Sequence, residues 1–158
     1  RGKYDIYIPF LEQGIRLLKP EGYLGFICPT MFMKRDYGKS LRSFLINNCT
    51  LRAFVDFADN QVFGEATNYV GIFIFQKTFT VASPCVCRIF EPNLRLPTEE
   101  IGRLLLSGES HDQLIEISPM DVTQLSEDAW TIAPTDRLKL CTELRKRAST
   151  TLEELCDA

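Results

Sequence analysis

The chain has 158 residues, 45% of them hydrophobic and 25% charged, with a net charge of −3. That is one domain of ordinary globular composition, which excludes a disordered tail, a collagen-like chain and a charged low-complexity segment. No apolar run reaches the ~18 residues a membrane-spanning helix needs, and the opening Arg1-Gly2-Lys3-Tyr4-Asp5 carries no signal-peptide pattern.

Ile8, Leu11, Ile15 and Leu18 recur at spacings of three and four, which predicts an amphipathic helix over residues 5–19. Asp5 suits its start as an acidic residue or cap, Lys19 suits its cationic end, and Pro20-Glu21-Gly22 stops it. Residues 23–28 are short and apolar on both faces, the pattern of a buried central strand, bounded by Pro29. Next comes a basic cluster, Lys34 and Arg35 with Lys39 and Arg42. Residues 1–50 hold 8 Lys/Arg against 4 Asp/Glu, whereas residues 51–158 hold 10 against 17. The chain is therefore no uniformly basic nucleic-acid module. Its first third offers either a local basic face or a solvated helix surface.

A second helix is expected over 37–48, with Leu41, Phe44 and Leu45 on one face. Strands follow at 51–57, 69–76 and 85–90, and the loop 58–68 carries one aromatic, Phe63. Strand, helix and strand over 23–57 make a βαβ unit, so the first two strands should be parallel. The loop 58–68 is too short for a crossover helix, so the third strand should run antiparallel to the second. Beyond residue 91, prolines at 92, 97, 119 and 134 break the pattern. Helices are expected at 99–106 and 136–147, strands at 114–117 and 129–133, and a last element at 151–155. The abrupt start and end predict a chain cut from something longer.

The six cysteines form no C-x-x-C pair and the single histidine is His111, so no zinc-ligand set is expected. Reduced thiols in an intracellular protein are the better reading, with Cys28 as core filler. Gly-rich phosphate loops, G-x-S-x-G and H-E-x-x-H are all missing from the sequence. Composition and spacing alone thus define no complete active site, and no catalytic residue is assigned within this chain.

One ordered set of blocks is informative. The first runs from Gly2-Lys3-Tyr4-Asp5-Ile6-Tyr7 through Phe10-Leu11-Glu12 to Leu17-Leu18-Lys19-Pro20-Glu21-Gly22 and Phe26-Ile27-Cys28-Pro29. The others are Tyr37-Gly38-Lys39 with Leu41-Arg42 and Phe44-Leu45, and Phe57 with Asp59-Asn60-Gln61-Val62-Phe63 and Ala66-Thr67. Together they resemble the N6-adenine-specific DNA methyltransferase domain of type II restriction–modification enzymes, the N-P-P-Y class. The likeness covers residues 2–77, with Glu21 in place of the first glycine of a pair. Thr151-Leu152-Glu153-Glu154-Leu155 also looks like the segment leading to that family's recognition domain.

The resemblance implies an α/β fold: a partial Rossmann-like methyltransferase sheet, parallel strands plus a terminal antiparallel hairpin, with helices on its faces. Residues 1–91 would be the distal half of the catalytic domain, and 92–158 a mixed α/β connector to a recognition domain. S-adenosylmethionine would be the cofactor and double-stranded DNA with a flipped adenine the partner, in a prokaryotic cytoplasm and without a metal. The family's cofactor loop and N-P-P-Y tetrapeptide lie upstream of these blocks, so the chain alone should be inactive.

Four assignments follow from the resemblance, each beside a plainer one. Phe63 corresponds to the aromatic that stacks on the target base; otherwise it folds onto the sheet. Phe10 corresponds to an aromatic packed on the cofactor's adenine; otherwise it is a helix-face core residue. Pro29 lies at the carboxyl end of a strand, where open α/β sheets hold ligands, and is there a cofactor contact or a strand terminator. Lys34 and Arg35 at the same edge are candidates for DNA phosphates. A cut sheet exposes an edge through which copies can self-associate. Two other readings stay open: a non-catalytic α/β interaction module of methyltransferase ancestry, and a methyltransferase for a non-DNA substrate.

Overall fold

The computed structural model describes residues 5–57, 69–78, 85–90, 115–120 and 125–132, with 99, 103, 122, 138–140, 143, 144 and 147. The elements in chain order are α1 (Tyr7–Leu17), β1 (Tyr23–Pro29), two 3-10 turns (Thr30–Met33 and Asp36–Gly38), α2 (Lys39–Asn48), β2 (Thr50–Asp56), β3 (Val70–Gln76), β4 (Cys85–Phe90) and β5 (Ile115–Met120). The order across the sheet is β1-β3-β2-β4-β5.

β1 and β2 point the same way, as a strand–helix–strand unit requires, yet they do not pair. β3 lies between them, antiparallel to both, with Phe73 opposite Phe26 on one side and Phe54 on the other. The expected antiparallel neighbour of β2 is therefore present, but it also separates the strands expected to pair in parallel. β2 pairs in parallel with β4 instead, and β4 pairs antiparallel with β5. The physical reason lies in β3, which is apolar at six successive positions from Val70 to Phe75. Such a strand is buried best between two partners. β1 was expected at the centre and ends the strand order instead, with Tyr23 and Ile27 61% and 42% exposed.

Both long helices cover one face of the sheet. Leu11 and Ile15 of α1 and Leu41 and Leu45 of α2 share one buried cluster with Cys28, Leu51, Phe54, Phe73 and Phe75. Gly14 permits the close approach, since a Cβ there would stand 2.8 Å from Leu24 Cδ2. Phe73 is the central ring of the core, 4.7 Å from Phe54, 5.3 Å from Phe32 and 5.9 Å from Phe75 between centroids.

The turn between α1 and β1 departs from expectation in detail. Glu21 has φ 62°, the left-handed region that glycine enters without cost. The strain is held by β3: Gln76 Nε2 donates to Glu21 O and Oε2 at 3.2 and 3.0 Å, and the Glu21 N–H donates to Lys77 O. Lys77, not Lys19, serves the end of α1, its Nζ donating to Arg16 O and Leu18 O. Asp5 does not cap α1 with its side chain; the N-cap is Ile6.

Past β3, β4 coincides with the expected strand at 85–90, and β5 starts one residue later than expected and extends to Met120. The strand expected at 129–133 is not formed in its described residues 129–132. Residues 138–140, 143, 144 and 147 are helical, as expected of 136–147. The loop 58–68 with Phe63, most of 99–106 and the element at 151–155 lie outside the described residues.

Phe73→Ala should lower stability by about 3–5 kcal/mol, because it empties the centre of the ring cluster. Tyr23→Ser should change it by less than about 0.5 kcal/mol. Urea unfolding of the two variants checks the contrast.

Candidate functional site

The carboxyl end of β1 leads directly into the two 3-10 turns, so residues 29–38 form a compact shoulder over that end of the sheet. Pro29 closes β1 half-buried, with φ −56° and ψ 137°. Its fixed φ and lack of an N–H end the strand. The Thr30 N–H then donates to Tyr69 O at 3.0 Å, tying the shoulder to the start of β3. Phe32 and Met33 turn inward and are buried, whereas Lys34 and Arg35 turn outward and are exposed.

A chain of hydroxyls flanks the shoulder. Tyr7 OH and Tyr37 OH are 3.1 Å apart, and Tyr37 OH donates to Asp5 Oδ2 at 3.4 Å. Burial, then the bond to Tyr37, pushes the Tyr7 phenol above its ordinary value, so Tyr7 is neutral at physiological pH. The Tyr7 ring rests 6.3 Å from that of Phe32.

Of the basic cluster, the structure keeps two members at the surface with no ion pair among the described residues, Lys34 and Arg35. Lys39 pairs with Glu127 at 3.1 Å. Arg42 is 3% exposed and points into the protein, so it is no phosphate contact. Pro29, Lys34 and Arg35 thus share one turn. Phe10 stands apart, 63% exposed on α1, and is not the core residue of its plainer reading. Arg16 packs over the Phe44 ring of α2 at 4.9 Å, and Phe10 occupies the flank of α1 turned away from that contact. Ile6 and Leu17 share its flank and are also exposed. Phe63 falls outside the described residues.

The exposed ring of Phe10 fits one requirement of a nucleoside cofactor, a flat apolar wall. A cradle for the rest of such a molecule is not found among the described residues, and no group of metal ligands is found among them either. A cavity of about 270 Å³ lies at the amino end of β2, lined by Leu45, Cys49, Leu51, Phe75, Leu125 and Trp130. It is mostly apolar and borders the shoulder only through Trp130, whose N–H donates to Met33 O. The sequence reading missed Tyr7, Tyr37, the burial of Arg42 and the packing of Trp130. The lone tryptophan in a polar stretch was the one available signal.

Solved structures resemble this fold. The type IIG restriction endonuclease BpuSI superposes with a TM-score of 0.57 over 79% of this chain and 15% of its own, at 19% identity. A class I S-adenosylmethionine-dependent methyltransferase from Listeria monocytogenes gives 0.50 over 66% and 32%, at 21% identity. The chain shares its α/β fold with parts of these two proteins.

Residues 1–63 match the model of the Eco57I restriction-modification methylase family. The Escherichia coli type II restriction enzyme and methyltransferase RM.Eco57I is 41% identical over 75 residues, 48% of this chain and 8% of that protein. The Geobacillus stearothermophilus type II methyltransferase M.BstVI is 38% identical over 111 residues, 69% and 20% respectively. The chain carries part of a type II restriction–modification methylase domain, and it spans a fifth or less of the length of these two relatives. No described helix is long and apolar enough to cross a membrane.

Burial pushes the thiols of Cys28 and Cys49 up to about 12 from an ordinary 9.0. A thiol raised in the folded state stabilises the fold below its unfolded value and loses that contribution as pH rises through the folded one. Stability should therefore fall between about pH 9 and pH 12. At pH 8 both thiols should resist iodoacetamide in the native protein and react once it is unfolded; peptide mass mapping checks this.

Proposed function

We propose that the chain is the distal part of the catalytic domain of a DNA methyltransferase that transfers a methyl group from S-adenosylmethionine to adenine N6. The enzyme works in a restriction–modification system in the cytoplasm of a prokaryote. The observation that carries the proposal is the solvent-facing basic turn, Lys34 and Arg35, at the carboxyl end of β1 in a chain of the methylase family. Ligands of open α/β sheets gather at that end of the strands.

In this reading residues 1–91 complete the catalytic domain and 92–158 connect it to a recognition domain. Lys34 and Arg35 meet DNA phosphates, which fixes the position of the duplex without reading its sequence. Phe63 holds one face of the extruded adenine, replacing stacking lost from the duplex. Phe10 and Pro29 wall the cofactor site. S-adenosylmethionine supplies the methyl group when bound. The chain's residues contribute orientation and exclusion of water, which is the main help an in-line displacement needs. The tetrapeptide expected to grip the adenine amino group lies outside this chain, so the isolated chain is inactive.

The test uses the full-length gene product with labelled S-adenosylmethionine and mixed-sequence DNA, followed by digestion to nucleosides. Label in N6-methyladenine is the expected result. Label elsewhere in DNA, or none in DNA from a folded protein that binds the cofactor, overturns the adenine or the DNA assignment. A folded protein that binds no cofactor leaves the interaction module. Phe63→Ala should weaken base binding by about 1–3 kcal/mol, seen as a raised KM for DNA, while thermal unfolding is unchanged.

A further inference from the structure

We propose that Arg42 is the positioning residue of the basic turn: its guanidinium locks the shoulder and the segment 126–130 into one arrangement, and so sets where Lys34 and Arg35 are presented. The proposal rests on the reading of those two residues as phosphate contacts.

Arg42 Nη1 donates to Phe32 O at 2.6 Å and to Arg35 O at 2.9 Å. These two carbonyls bracket Lys34 in sequence, so a single nitrogen pins both sides of the turn. Arg42 Nε donates in the other direction, to Glu127 O at 2.9 Å. Of the two carbonyls between them, that of Met33 is held as well, since the Trp130 N–H donates to Met33 O at 2.8 Å. Trp130 is 2% exposed, its Nε1 donates to Ser126 O at 2.6 Å, and its ring meets that of Phe32 edge-on at 6.0 Å. The segment 126–130 is thereby closed on itself and seated on the shoulder.

Among the described residues no carboxylate pairs with Arg42. Its charge is met by carbonyl dipoles, a costly way to fill space that an apolar side chain fills without desolvating an ion. What the guanidinium supplies is direction, because its planar fork fixes several acceptors at once where a lysine offers one point charge. Gly38 makes room for the arrangement: a Cβ there would fall 2.0 Å from Phe32 O, the carbonyl that Arg42 grips. The Lys39–Glu127 pair at the rim is exposed and adds little.

The experiment is a double-mutant cycle in the full-length gene product, reading DNA affinity across a salt series with cofactor binding and thermal unfolding as controls. Each lost phosphate contact lowers the salt slope by about 0.9. Lys34→Ala/Arg35→Ala should therefore lower it by about 1.8. Arg42→Met should weaken DNA binding about tenfold and lower the slope by a similar amount, with cofactor binding and cooperative unfolding retained. In the Lys34→Ala/Arg35→Ala background, Arg42→Met should cost less than about twofold, because there is nothing left to position. Equal weakening in both backgrounds, or no weakening in either, overturns the proposal. An unchanged slope in Lys34→Ala/Arg35→Ala overturns the phosphate reading itself, and the proposal with it. If Arg42→Met does not fold, Arg42→Lys carries the same cycle: it keeps the charge without the fork, and the same loss of slope is expected. A slope retained by Arg42→Lys shows that charge alone suffices and overturns the positioning role.

Discussion

Phe32 joins the core to the surface turn that carries the candidate site. Its ring is fully buried and meets Phe73, Trp130 and Tyr7, while its carbonyl receives Arg42. One residue is therefore anchored through its side chain to the sheet and through its backbone to α2. The shoulder after β1 inherits its rigidity from that double attachment. Close packing transmits displacement, since an interior at crystal-like density has no slack to absorb it. A change at Phe73 therefore reaches Lys34 through two contacts, without any flexible link between them.

The elements themselves were legible in the sequence. Alternation and spacing located α1, α2 and the first four strands within a residue or two, and the loop of 58–68 correctly made β2 and β3 antiparallel neighbours. Strand order was not legible. β1 and β3 are both short apolar runs, and local pattern does not tell which of two such runs takes the middle. The decision is made by burial of whole faces. β3 covers Phe54 and Phe26 at once, while β1 leaves Tyr23 and Ile27 in solvent.

The site shows the same division. Pro29 and the outward Lys34 and Arg35 follow from their place after a strand, and they stand where that place suggests. Arg42 does not, because nothing in a run of basic residues says that one of them turns inward. Its acceptors come from residues 32, 35 and 127, and the last of these is 85 residues away. Asp5 is a similar case: its carboxylate accepts from Tyr37, 32 residues on, instead of capping its own helix. Family resemblance carried the assignment of the chain further than any single residue did, and it carried little about how the shoulder is held.

The insertion of β3 has a consequence for how the chain is made on the ribosome. Synthesis is vectorial, at roughly 5–20 residues per second. β1, α2 and β2 are all complete at Asp56, yet the strand that belongs between them ends at Gln76. For that interval the two finished strands border a gap about one strand wide, near 5 Å on each side. Both present unpaired backbone groups to it, as open edges do. Glu127 and Trp130, which seat the shoulder, emerge later still. The shoulder after β1 is thus fixed late, and a ribosomal pause between residues 57 and 76 would prolong the stage at which the nascent sheet is open to the wrong strand.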